Sequence, residues 1–280
     1  MFRHRFVNTT LLATLLAVPA AALDLGIDTE FKFDALPGIQ QIQKFQGLHG
    51  VENKAISSQV SLSSALRALG TVAQSFDNEG YGDVDYWRRS ATDWGRAGKA
   101  LGQAISRVSN DLSDAPLRAA LGSAGQQLQR LDHTGYGDVT YWRLRARRFA
   151  ETVRNAGQQL DSVAASVTPA QTVSLRTALV ALAEAAYGMS SQGQGDVGYW
   201  RRATRNLALL GAGFGRGIKI IAGETGSPLS AILGSMANQL TRLSYDGYGD
   251  VHYWLAKASG VADQIRSQAT VLVDTANGID

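Results

Sequence analysis

Apolar residues recur along this chain in steps of four and three. Leu62, Leu66, Leu69, Ala73 and Phe76 open the series. The same steps return at Leu117, Leu121, Ala124, Leu128 and Leu131, then at Leu175, Leu179, Leu182, Ala186 and Met189. They return once more at Leu229, Leu233, Met236, Leu240 and Leu243. Such spacing lays an apolar seam along one face of a helix. A second stripe follows each seam at intervals of seven: Trp87, Trp94, Leu101 and Val108 in the first copy. Its counterparts are Trp142, Phe149, Ala156 and Val163, then Trp200, Leu207, Phe214 and Ile221. The fourth stripe weakens, with Trp254 and Val261 followed by Gln268 and Thr275. Beside the stripes runs a column of small residues, such as Gly95, Gly102 and Ser109 or Ala150, Gly157 and Ala164. Glycine inside a helix costs about 0.5–1 kcal/mol relative to alanine. A column of such residues therefore predicts helix backbones in close approach.

The pattern predicts a shorter helix of about 18–20 residues, a loop, and a longer helix of about 28, four times over. Pro116, Pro169 and Pro228 sit at or near the start of the next unit, where a missing N–H does no harm. The fold class that follows is all-α: four tandem antiparallel helical hairpins of ~55 residues forming an array or an eight-helix bundle. The hairpins span 55–112, 113–167, 168–225 and 226–280. Residues 23–54 fall outside the period and read as an N-terminal cap. If the hairpins pack side by side, all four loops lie at one end.

Each loop carries the same phrase. "GYGDVDYW" starts at Gly80, "GYGDVTYW" at Gly135, "GQGDVGYW" at Gly193 and "GYGDVHYW" at Gly247. The residue types fit a turn. The first glycines, Gly80, Gly135, Gly193 and Gly247, suit the left-handed end of a helix. The Schellman arrangement then packs Tyr81 on Phe76, Tyr136 on Leu131, Gln194 on Met189 and Tyr248 on Leu243. The second glycines, Gly82, Gly137, Gly195 and Gly249, allow a further unusual backbone angle. Asp83, Asp138, Asp196 and Asp250 are placed to cap the next helix.

Turn chemistry leaves some residues over. Tyr86, Tyr141, Tyr199 and Tyr253 stand beside the tryptophans but off the stripe. Arginines crowd the first turns: Arg88 and Arg89, Arg143, Arg145 and Arg147, Arg201 and Arg202, with Arg148 and Arg205 nearby. Cations there oppose the helix dipole. They either pair with acids such as Asp85 or form a tyrosine-flanked patch for an anionic ligand. The eleven Tyr and Arg positions are the candidate ligand-binding residues.

Composition narrows the setting. At 45% hydrophobic and 18% charged residues the chain is a folding one. Residues 1–22 read as a secretory leader, with Arg3 and Arg5, the apolar run "LLATLLAV" and Ala20-Ala21-Ala22 for cleavage. The leader implies a periplasmic or secreted protein. It also carries two of the 27 basic residues and none of the 24 acidic ones, so most of the net charge of +3 leaves with it. A polyanion preference must therefore rest on clustered arginines and not on bulk charge. The chain has no cysteine, which excludes thiolate chemistry, cysteine-based zinc sites and a lipoprotein anchor.

Other motifs fail on spacing. "GAGFGRG" at 211–217 places Arg216 where a dinucleotide loop needs glycine. An EF-hand reading of the first loop puts Tyr86 at the bidentate glutamate position. His4, His49, His133 and His252 do not recur in register, so no shared base or metal site is indicated. The expectation is a non-catalytic exported scaffold with no cofactor, metal or nucleic-acid partner and no transmembrane helix in the mature chain. Its partner is an anionic polysaccharide or envelope component met at the loop-bearing end. The alternatives are self-association into a structural assembly and a membrane-active helical protein.

Overall fold

The computed structural model describes residues 58–76, 82–131, 134–188 and 195–279. The expected leader (1–22) and cap (23–54) lie outside the described residues, as do Gly80, Tyr81, His133, Gly193 and Gln194. The described residues are mostly helical. A three-residue strand, β1 (Gln59–Ser61), leads into α1 (Leu62–Gln74). Then come α2 (Val84–Asn110), α3 (Ala115–Gln129) and α4 (Val139–Ser166). The order then restarts with β2 (Thr172–Ser174), α5 (Leu175–Tyr187), α6 (Val197–Ala222), α7 (Leu229–Thr241) and α8 (Val251–Asn277).

Helix starts follow side-chain chemistry. Ser61 and Ser174 cap α1 and α5 by accepting from Ser64 N–H and Thr177 N–H, each at 3.1 Å. Asp114 caps α3 by accepting from Leu117 N–H at 3.0 Å, with Pro116 in the first turn. The short helices end sooner than their seams suggest. α3 stops at Gln129 and α7 at Thr241, and from Leu243 the chain runs on to the fourth motif without helical structure. Residues such as Thr134, Gly135, Ser244 and Asp246 favour turns over helix, and that outweighs the last apolar step.

Helix neighbours differ from the expected hairpins. α1 leads into α2 but packs chiefly on α4 and α6. α5 leads into α6 but packs chiefly on α2 and α8. α3 folds back on α2, and α7 on α6. The motif thus separates two helices that pack elsewhere.

The small-residue column is where short and long helices meet. A Cβ added to Gly102 of α2 would lie 2.5 Å from Gly125 O of α3. One on Gly157 of α4 would lie 2.9 Å from Gly70 O of α1, and one on Gly215 of α6 2.8 Å from Ala237 O of α7. The tryptophan stripes bury their neighbours on the other side, with Trp87, Trp142, Trp200 and Trp254 all within the core. The stripe is buried throughout in α2 and α6, each of which packs on four other helices, against three for α4 and α8. It is partly exposed at the far ends of α4 and α8.

Short and long helices run antiparallel. Ser63 Oγ donates to Ala164 O at 2.8 Å, while Arg154 at the other end donates to Phe76 O at 2.7 Å. Arg176 reaches Asn277 at 3.1 Å and Tyr187 reaches Thr270 at 3.0 Å. α6 opposes α1 through Arg216 and Ser75, 3.0 Å apart, and α5 opposes α2 through Glu184 and Arg107. Tyr86 near the start of α2 meets Tyr199 near the start of α6, so the four long helices share one direction and their first turns lie at one end.

The chain also splits into matching halves. α1–α4 and α5–α8 exchange equivalent contacts, α1 with α6 as α5 with α2. β1 and β2 pair antiparallel with Val60 opposite Val173. Asp111 Oδ2, just past α2, accepts from Ser174 N–H at 2.6 Å. Glu224 Oε2, just past α6, accepts from Ser61 N–H at 2.6 Å. Such reciprocity is the signature of an internal two-fold arrangement.

Candidate functional site at the loop-bearing end

Each motif builds the same local device. Asp83, Asp138, Asp196 and Asp250 accept from the backbone N–H of Tyr86, Tyr141, Tyr199 and Tyr253 at 2.8–2.9 Å. Each tyrosine ring then lies back over the loop. A Cβ on Gly82, Gly137, Gly195 or Gly249 would run into that ring. Gly135 and Gly247 adopt φ of 149° and 150°, a region open only to glycine. A Cβ on Gly135 would come within 2.5 Å of the Tyr141 hydroxyl. The glycines are therefore set by the tyrosine four residues beyond the second of them. They are not the Schellman ends expected of Gly135 and Gly247. Tyr136 and Tyr248, expected to pack on Leu131 and Leu243, instead stand fully in solvent.

The four motif tyrosines divide into two pairs. Tyr86 and Tyr199 are buried, while Tyr141 and Tyr253 are exposed. Tyr86 and Tyr199 meet edge to face with ring centroids 5.7 Å apart. The Arg202 guanidinium lies 4.6 Å from the Tyr86 centroid, and that of Arg89 lies 5.8 Å from Tyr199. Arg202 Nε is buried without a hydrogen-bond partner. These four candidates turn inward because the two halves press motifs one and three together. They form a clamp between the halves.

Beneath the clamp is a cleft of about 40 Å³, bordered by Ser90, Asp93, Trp94 and Asn206. Its volume suits water and is too small for a sugar or cofactor. Asp93 and Asn206 occupy equivalent places, so one carboxylate stands alone between the halves. Burial pushes Asp93 up to about 7, against the opposing pull of Arg96 and Arg89. Burial, helped by the Asp93 charge, pushes Tyr199 up to about 12. Sequence reasoning missed Asp93 and Asn206, since neither recurs in all four copies.

The remaining candidates face outward or are used locally. Arg88 pairs with Asp85 at 2.9 Å on the surface. Arg145 donates to its own Tyr141 hydroxyl and lies over Trp142 and Phe149. Arg201 lies 6.0 Å over Trp254 with its side chain otherwise exposed. Arg143, Arg147 and Arg148 are exposed and make no ion pair among the described residues. In the fourth copy Lys257 takes the place of Arg145, over Tyr253 and Trp254. No cluster of His, Asp or Glu among the described residues has the geometry to hold a metal ion. No described helix is long and apolar enough to cross a membrane.

No protein-family model matches the chain, and no match is found among curated proteins or solved structures.

Proposed function

We propose that the chain is an exported, non-catalytic scaffold, built from four helix–loop–helix copies assembled as two pairs, that binds an anionic envelope polymer through its loop-bearing end. One observation carries this reading. The shared direction of the long helices gathers exposed Arg143, Arg147, Arg148 and Arg201 at the end that also bears exposed Tyr136, Tyr141, Tyr248 and Tyr253. Guanidinium groups suit carboxylate or sulfate, and tyrosine faces suit sugar rings. The helix dipoles add positive potential at the same end. Wild-type protein applied to an anionic glycan column at low salt is retained and elutes as salt rises. Passage without retention at low salt would remove the reading.

A second reading is self-association, favoured by the complete exposure of Tyr136 and Tyr248. Large aromatic rings of this kind are frequent anchors at protein interfaces. Sedimentation of wild type against Tyr136→Ser, Tyr248→Ser separates the two: a wild-type oligomer lost in the variant supports assembly, and a monomer in both excludes it.

A further inference from the structure

The two halves serve as controls for one another, and along α8 they part. α8 matches α4 when Trp254 is laid on Trp142. In this register Arg148 becomes Gly260 and Phe149 becomes Val261, while Thr152 becomes Gln264 and Ala156 becomes Gln268. Two large side chains are removed and two long amides are introduced, all on one stretch of one helix. The result is a cleft of about 560 Å³ between α7 and α8, within the ~300–1,000 Å³ range of small-molecule sites.

The cleft is chemically distinctive. A Cβ added to Gly260 meets nothing within 4 Å, so the glycine is not required by packing there. Gln268 Nε2 donates to Gln239 Oε1 at 2.9 Å, crossing from α8 to α7. Gln268 Oε1 is buried with no hydrogen-bond partner, an arrangement that a bound donor would satisfy. Arg242 and Lys257 stand on the walls, and no carboxylate lines the cleft. Lys257 Nζ donates to the backbone carbonyl of Asp246. Arg242 has no side-chain partner among the described residues.

We infer that this cleft binds one acidic sugar unit of an anionic polysaccharide, an inference that rests on the polymer-binding reading above. The sugar carboxylate pairs with the Arg242 guanidinium, a charge-assisted contact. Side-chain amides offer a donor and an acceptor side by side, which suits the vicinal hydroxyls of a sugar at Gln264 and Gln268. The space left by Gly260 and Val261 receives the ring. The fourth copy's apolar stripe weakens at Gln268 because that position meets ligand instead of core.

The test titrates the full chain with trigalacturonic acid and with its methyl ester by calorimetry. The acid binds wild type and the ester binds at least about tenfold more weakly. Gly260→Leu fills the cleft and lowers affinity for the acid by at least about tenfold. Its helical signal persists and its Tm is unchanged or higher, since leucine is the better helix former. Arg242→Gln weakens binding of the acid but not of the ester. Wild-type affinity in Gly260→Leu overturns the inference, as does inorganic phosphate competing as well as the sugar acid. The glycan column separates this result from the broader reading. Retention of wild type with an unaffected Gly260→Leu titration sinks the cleft alone. Trigalacturonate binding that Gly260→Leu abolishes, in a chain the column does not retain, keeps the cleft and sinks the loop-end surface.

Discussion

Tyr86 and Tyr199 hold the same place in two copies of one motif, 113 residues apart, and meet edge to face in the core. Their counterparts Tyr141 and Tyr253 hold that place in the other two copies and face solvent. One sequence phrase thus has two roles, decided by how the halves pack.

Substitution should separate these roles. Tyr199→Ala removes a buried ring, its edge-to-face contact with Tyr86 and the aromatic face under Arg89. A loss of roughly 3–5 kcal/mol is expected, as for other large buried aromatics. Tyr141→Ala, at the equivalent but exposed position, should cost about 1 kcal/mol or less. Urea denaturation of both variants checks this. Equal losses would mean that the inward and outward tyrosines are not different in kind.

Stability should also depend on pH through Asp93. Its carboxyl is raised from 3.8 to about 7, so between those values the folded state binds more protons than the unfolded state. This group's contribution therefore falls as pH rises from about 4 to 7, by an amount on the order of a few kcal/mol. Asp93→Asn, which copies Asn206 of the other half, should abolish that slope and exceed wild-type stability at pH 8. Denaturation midpoints at several pH values measure it, and parallel wild-type and variant curves would contradict it.

Two glycines should respond oppositely to one change. Gly157→Leu forces a side chain against Ala73 and the backbone of Gly70, so it should destabilise by about 1–3 kcal/mol or more. Gly260→Leu enters open space and should not destabilise. Thermal melts of the pair test the register of the small-residue column.

The cap is the simplest element to check. Asp138→Ala should lower stability by about 0.5–2 kcal/mol, and Asp138→Asn by much less, because asparagine can still accept from Tyr141 N–H. If Asp138→Asn costs as much as alanine, charge at the helix start matters more than the hydrogen bond.

The helices and their caps were legible in the sequence because both are local. A seam such as Leu62, Leu66 and Leu69 needs only a period, and Asp138 needs only a glycine before it and an amphipathic helix after it. Helix pairing was not legible, because α1 could have laid its seam on α2 as readily as on α4 and α6. A clue was present nonetheless. Val60-Ser61-Leu62 recurs as Val173-Ser174-Leu175, and Leu121-Gly122-Ser123 as Leu233-Gly234-Ser235. Copy one therefore resembles three, and copy two resembles four, which marks a doubled pair. Reading the four motifs as equal hid the inward turn of Tyr86, Arg89, Tyr199 and Arg202. It also hid Asp93, whose pKa is raised by burial where the two halves meet.

On the proposal above, exposed arginines at the loop-bearing end hold an anionic polymer. Arg143, Arg147 and Arg201 are solvent-facing and lie outside the clamp, so changing them should leave the fold intact. The deciding measurement is the salt concentration at which Arg143→Gln, Arg147→Gln, Arg201→Gln elutes from an anionic glycan column, compared with wild type. Contacts of this kind are screened beyond roughly 8 Å at physiological ionic strength. The triple variant should elute markedly earlier, with an unchanged helical circular dichroism signal. Elution at the wild-type salt concentration would contradict it.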